Sequence, residues 1–117
     1  MTVPYTFMDT IIKEGKLGSI EVKLENNLEL LIDGICIMND SIEEYWSNYH
    51  FILNARGDIL IGGLGLGMIQ YTLLQKDNIK SITTIEINKD VIDYIFPQLK
   101  EHDENNLFKI IQDFEDK

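Results

Sequence analysis

A chain of 117 residues is long enough for one domain and too short for two. Apolar residues make up 44% and charged residues 26%, a balance that builds a packed core and argues against wholesale disorder. Ten Lys and Arg against 20 Asp and Glu give a net charge of −10, so neither nucleic acid nor an anionic membrane is an expected partner.

The amino-terminal residues MTVPYTFMDT lack the basic flank and apolar core of a signal sequence. No apolar run approaches the ~20 residues of a membrane span, and a reducing cytoplasmic setting is expected. Phe7, Met8, Ile11 and Ile12 have helical spacing, and Gly15 could end a short helix there. From Ser19 the period becomes two: Ile20, Val22 and Leu24 alternate with Glu21, Lys23 and Glu25. Asn26-Asn27 can take the positive φ of a tight turn, after which Leu28, Leu30 and Ile32 resume the alternation. Asp33-Gly34 is a second turn and Ile35 to Met38 a third strand, which predicts a three-stranded antiparallel meander. Cys36, the one cysteine, has no partner for a disulfide and no thiolate neighbour for zinc. Its apolar surroundings predict a small buried thiol.

Ser41-Ile42-Glu43-Glu44 is a capping-box pattern. Ile42, Tyr45, Trp46, Tyr49, Ile52 and Leu53 then share one helical face, with Gly57 placed to end the helix near Arg56. Tyr45, Trp46, Tyr49 and His50 read as core or interface, and His50 has no second ligand at metal spacing. Residues 1–57 thus form a meander with a helix, and residues 58–117 a second part of the same compact domain. Ile59-Leu60-Ile61 is an apolar run expected of a strand covered on both faces. After glycines at 62, 63, 65 and 67, the stretch from Met68 to Leu74 reads as a buried helix that includes Tyr71. Ser81 to Ile87 is strand-like, and Asn88 caps a helix carrying Val91, Ile92, Ile95 and Phe96, broken or kinked at Pro97. A polar turn holding a solvated His102 leads to a strand from Leu107 to Ile111. The whole is α/β: an N-terminal antiparallel β-meander followed by a half Rossmann β-α-β-α-β parallel sheet, with its first strand at one edge. An apolar open edge at Ile59–Ile61 must be covered by the N-terminal meander or by a second chain, and a homo-oligomer is expected.

Gly63, Gly65 and Gly67 form G-x-G-x-G between an apolar strand and a helix start, where bare backbone can lie against a ligand. Glu86 ends the next strand, where a carboxylate can accept from two ribose hydroxyls, and Ile87 could press on an adenine face. Asp113, just past the third strand, could accept from an adenine amino group, with Phe114 beside it. A dinucleotide fingerprint would need a small residue at Met68 or Gln70, and no Gly-Lys-Ser or Gly-Lys-Thr serves a triphosphate. The spacing suits a nucleoside without pyrophosphate.

The segments DILIGGLGLGM and SITTIEINKDVI resemble the first motif and the following acidic motif of class I S-adenosylmethionine-dependent methyltransferases, in particular the spermidine-synthase-like branch. The resemblance implies S-adenosylmethionine or its decarboxylated form as ligand. Gly63, Gly65 and Gly67 would contact the methionine portion, with Leu64 of the same turn among the ligand-binding residues, Glu86 would hold the ribose and Asp113 the adenine. Leu66 stands where spermidine synthases carry an acidic loop residue, and Glu43-Glu44-Tyr45 only loosely matches their Asp-Glu…Tyr pattern. The branch's later strands, with its catalytic aspartate, do not follow within the 117 residues. Methyl transfer, aminopropyl transfer, ligand degradation and binding without turnover therefore all stay open.

Overall fold

The structure, a computed structural model, describes residues 8–112. Asp113 and Phe114 lie outside the described residues. A four-stranded antiparallel sheet comes first: β1 (Gly15–Leu17), β2 (Ile20–Leu24), β3 (Leu28–Ile32) and β4 (Ile35–Asn39), in that spatial order. The three strands expected from the alternation are present, with β1 added in front of them. The helix expected near Gly15 is only a 3-10 turn, Met8–Thr10. Packing decides this segment: Tyr94 lies where a Cβ on Gly15 would stand, and its hydroxyl donates to the Lys13 carbonyl at 2.7 Å.

Cys36 is exposed, which corrects the buried reading. The β3–β4 register pairs Leu30 with Met38 but Leu31 with Cys36, so Ile37 is an extra residue in β4. That bulge on an edge strand leaves Ile35, Cys36 and Ile37 all exposed. The single expected helix is two short ones, α1 (Ile42–Ser47) and α2 (Tyr49–Asn54), meeting at Asn48. Asn48 Nδ2 donates to the Glu44 carbonyl at 3.0 Å, the local competition with backbone pairing that asparagine offers. The Ser41 cap forms as expected, accepting from the Glu44 N–H. Gly57 does not end α2. Its last carbonyls, those of Ile52, Leu53 and Ala55, accept from Lys76 Nζ at 2.7, 3.2 and 2.6 Å.

The second sheet is parallel, with order β5 (Gly57–Gly62), β6 (Ile79–Glu86) and β7 (Phe108–Gln112). α3 (Met68–Leu74) and α4 (Lys89–Lys100) make the crossovers. α4 runs through Pro97 to Lys100. A mid-helix proline costs about 3 kcal/mol, and the buried row Val91, Ile95, Leu99 outweighs it. The parallel sheet is covered on one face only. Ile61, Ile82, Thr84 and Phe108 are buried, while Leu60 and Ile111 on the other side are 66% and 53% exposed. The expectation that Ile59–Ile61 is covered on both faces therefore fails at Leu60. One apolar cluster joins Ile20, Val22, Leu28 and Leu30 of the meander to Leu64, Leu66 and Ile82 of the second half. The meander thereby packs against the carboxyl end of β5, where the glycine turn begins.

Candidate functional site

β5 and β6 end side by side, and the turn after β5 is pinned to β6 by the Gly63 N–H, which donates to the Ile85 carbonyl at 2.7 Å. Glu86 is the next residue, 9% exposed, and its carboxylate holds the turn directly. Oε1 accepts from the Leu64 N–H at 2.7 Å and Oε2 from the Asn88 N–H at 2.9 Å. Each carboxylate oxygen can accept two hydrogen bonds, so among the described residues one acceptor position on each is unused. Gln70 finishes the frame from α3, donating to the Gly63 carbonyl and to Thr84 Oγ1, both at 3.1 Å.

The three glycines do three different things. Gly63 has φ +92° and nothing within 4 Å of a would-be Cβ, so its bare backbone faces open space. Gly65 has φ +54°, and a Cβ there would overlap Met38 of β4. The Met38 sulfur accepts from the Leu66 N–H at 3.4 Å. Gly67 caps α3 in the left-handed region at φ +77°, with Leu99 filling the space a side chain would need.

Between the turn and the meander lies a cleft of about 370 Å³, lined on one side by Gly63, Leu64 and Glu86 and on the other by Ile32, Met38 and Glu44. That volume falls within the range of small-ligand sites. Gly65, Gln70 and Ile61 also line it, whereas Gly67 and Ile87 do not, and Ile87 is 52% exposed. The ionisable groups among the described lining residues are Glu44 and Glu86, with no Lys, Arg or His among them. A phosphate would meet only like charge there, and a cation would meet two carboxylates. No group of three His, Cys, Asp or Glu among the described residues forms a metal site. Nor is any described helix long and apolar enough to cross a membrane.

Glu44, Gln70 and Met38 were not among the expected site residues. Gln70 carried a signal, since a polar side chain on a buried helix seven residues after Gly63 needs a partner. Met38 carried none, because only the packing of the two sheets brings it to the turn. Trp46, expected as core or interface, is 56% exposed; Tyr45 is buried and stacks edge-on against it. His102 makes a T-shaped contact with Tyr71, away from the cleft.

No family model and no curated protein sequence matches this chain. Solved structures do. Spermidine synthase in complex with the transition-state analogue AdoDATO superposes with a TM-score of 0.60 at 18% identity, over 88% of this chain and 40% of that one. Spermidine synthase from Thermotoga maritima gives 0.60 at 18% identity, over 87% and 40%. TYW2 of M. jannaschii in complex with AdoMet gives 0.51 at 15% identity, over 84% and 45%. The chain spans about 40% of the length of the spermidine synthases it matches. It has, over most of its residues, the fold of a part of spermidine synthase and of the AdoMet-binding TYW2, a fold of the class I methyltransferase type.

Proposed function

We propose that this protein binds S-adenosylmethionine or its decarboxylated form in the cleft between Gly63 and Glu86, and serves as a transferase of a methyl or aminopropyl group. The observation that carries the reading is the Glu86 carboxylate. It sits at a strand end beside open glycine backbone, keeps one acceptor position on each oxygen, and lines a cleft of nucleoside size. A vicinal pair of ribose hydroxyls is the ligand group that uses both positions at once. The charge of the lining favours a sulfonium: Glu44 and Glu86 line the cleft with no cation among the described lining residues. A sulfonium already makes its attached carbon electrophilic, so a transferase built on this cleft need mainly align a nucleophile in line with the breaking C–S bond.

The same lining favours a second reading, binding or breakdown of the ligand without an acceptor. Glu86 is committed to two backbone N–H groups, which leaves Glu44 as the described lining group available for acid–base work. Calorimetry with S-adenosylmethionine, its decarboxylated form and methylthioadenosine tests binding. No heat with any of the three overturns the reading. Mass spectrometry of S-adenosylmethionine incubated with the protein alone then separates breakdown from passive binding.

A further inference from the structure

Among the described residues nothing pairs with the outer edge of β5. Gly63 and the odd-numbered residues of β5 direct their backbone groups to β6, as the Gly63 N–H to Ile85 carbonyl bond and the parallel register require. Asp58, Leu60 and Gly62 therefore point theirs outward, and no described residue donates to them or accepts from them. The other sheet edges are guarded in ordinary ways. β1 carries Lys16, β7 carries Lys109, and β4 is bulged at Ile37. β5 has no lysine and no proline, and its one charge, Asp58, accepts from Ser81 Oγ at 2.7 Å. At its centre Leu60 is 66% exposed on the bare face of the sheet. Parallel sheets are rarely left uncovered in this way.

We propose that β5 is a self-association strand: two copies join antiparallel across it, about a twofold axis at Leu60, into one continuous six-stranded sheet. The register follows from the chain. Leu60 faces the partner's Leu60, Asp58 faces the partner's Gly62, and Gly62 faces the partner's Asp58. The three outward N–H and three outward C=O groups on each copy then complete a ladder of six hydrogen bonds. The charges permit it, because the only carboxylate on the strand is set opposite glycine and not opposite its own copy. No other centre achieves this: a shift by two residues leaves outward groups unmade, and a shift toward Asp58 brings the two carboxylates together. Phe51 and Leu53 of α2, six and four residues before β5 begins, are exposed as well, at 46% and 39%. The opposing term is the net charge of −10 on each copy. Association should therefore strengthen as salt screens that repulsion, the reverse of an interface held by ion pairs.

The test is register-specific. Opposed residues of a hydrogen-bonded antiparallel pair have Cα atoms about 5.5 Å apart, inside the span a disulfide bridges. With the exposed Cys36 replaced by serine, Leu60→Cys should give a disulfide-linked dimer under mild oxidation. Asp58→Cys in the same background should not, since its partner is glycine. By sedimentation the unmodified chain should be a dimer at about 100 μM and tighten between about 0.02 and 0.5 M NaCl. Leu60→Lys should weaken the dimer roughly tenfold or more, and Ile37→Lys on the bulged edge should leave it unchanged. If Leu60→Cys or Leu60→Lys fails to fold, amide exchange on the unmodified chain takes its place. The Asp58, Leu60 and Gly62 amides should gain protection as concentration rises. A monomer at all salts, equal cross-linking at 58 and 60, dissociation by Ile37→Lys, or concentration-independent exchange at those amides overturns the proposal.

Discussion

Removing a single hydroxyl from the ligand tests the Glu86 assignment without disturbing the protein. The carboxylate accepts from the Leu64 and Asn88 N–H groups at 2.7 and 2.9 Å, so cutting it away damages the turn as well as the site. Glu86→Ala removes two charge-assisted hydrogen bonds, each worth about 1.5–3 kcal/mol, and loosens the turn on which the proposed site is built. A loss of binding in that variant has two causes. Methylthioadenosine and its 2′-deoxy analogue, titrated into the unmodified protein, isolate one. If the free acceptor position on a Glu86 oxygen takes the 2′-hydroxyl, its loss costs one hydrogen bond to a charged acceptor, about 1.5–3 kcal/mol, or roughly 10- to 150-fold in Kd by calorimetry. The 3′-deoxy analogue should lose a similar factor, because the second oxygen is occupied in the same way. A ratio under about twofold for both analogues refutes the ribose assignment, whatever Glu86→Ala does. Glu86→Ala then reports the structural half: a fall in unfolding free energy with no ligand present.

Gly67→Ala should lower the unfolding free energy by about 2–4 kcal/mol in urea, from the left-handed φ and the overlap with Leu99. Gly63→Ala, with open space around it, should cost only about 1–2 kcal/mol of stability but reduce ligand affinity more than Gly67→Ala does at equal folded fraction. Asp103 is held by Lys100 Nζ at 2.7 Å and by the Leu107 and Phe108 N–H groups at 2.8 and 2.7 Å. Burial pushes its carboxyl up, but those three partners outweigh burial and hold it below its ordinary 3.8. A lowered folded-state pKa means the unfolded chain binds the proton first as pH falls. Stability should thus be level down to the ordinary carboxylate range and drop below about pH 4, with Asp103→Asn flattening that drop in acid titration of urea midpoints. Asp103→Ala should cost about 2–4 kcal/mol at pH 7, since it leaves the Leu107 and Phe108 N–H groups without their acceptor, while Lys100 Nζ keeps Asn106 Oδ1 and the Phe108 carbonyl. Cys36 should react with a thiol reagent in the native protein as completely as in urea, which a buried thiol would not do.

The elements whose signals are local were readable in the sequence. Alternation from Ile20 to Ile32 marked β2 and β3, Ser41 marked the start of α1, and the apolar run before four glycines marked β5 and its turn. Asn88 marked α4, accepting from the Asp90 and Val91 N–H groups. The features missed all depend on residues distant in the chain. Tyr94 pulls residues 13–15 out of a helix, Lys76 ends α2 in place of Gly57, and the bulge at Ile37 turns Cys36 outward. Leu60 was misjudged for a related reason. An apolar run announces a strand with two apolar faces, but only the rest of the molecule decides whether both are covered.

The glycine turn carries the same lesson into the site. A G-x-G-x-G pattern reads as three points of ligand contact, yet the geometry divides its members. Gly67 is required by a left-handed helix cap and the closeness of Leu99, and Gly65 by the closeness of Met38, so two of three would be needed with no ligand at all. Only Gly63 combines a positive φ, empty space beyond it and a place in the cleft lining. What singles out this turn is therefore less the glycines than the carboxylate beside them. A buried Glu at a strand end, holding one N–H from each of two loops, fixes its carboxylate beside the bare backbone of the turn. Such a frame would meet the proposed vicinal diol without reorganising, because the cost of ordering it has been met by folding.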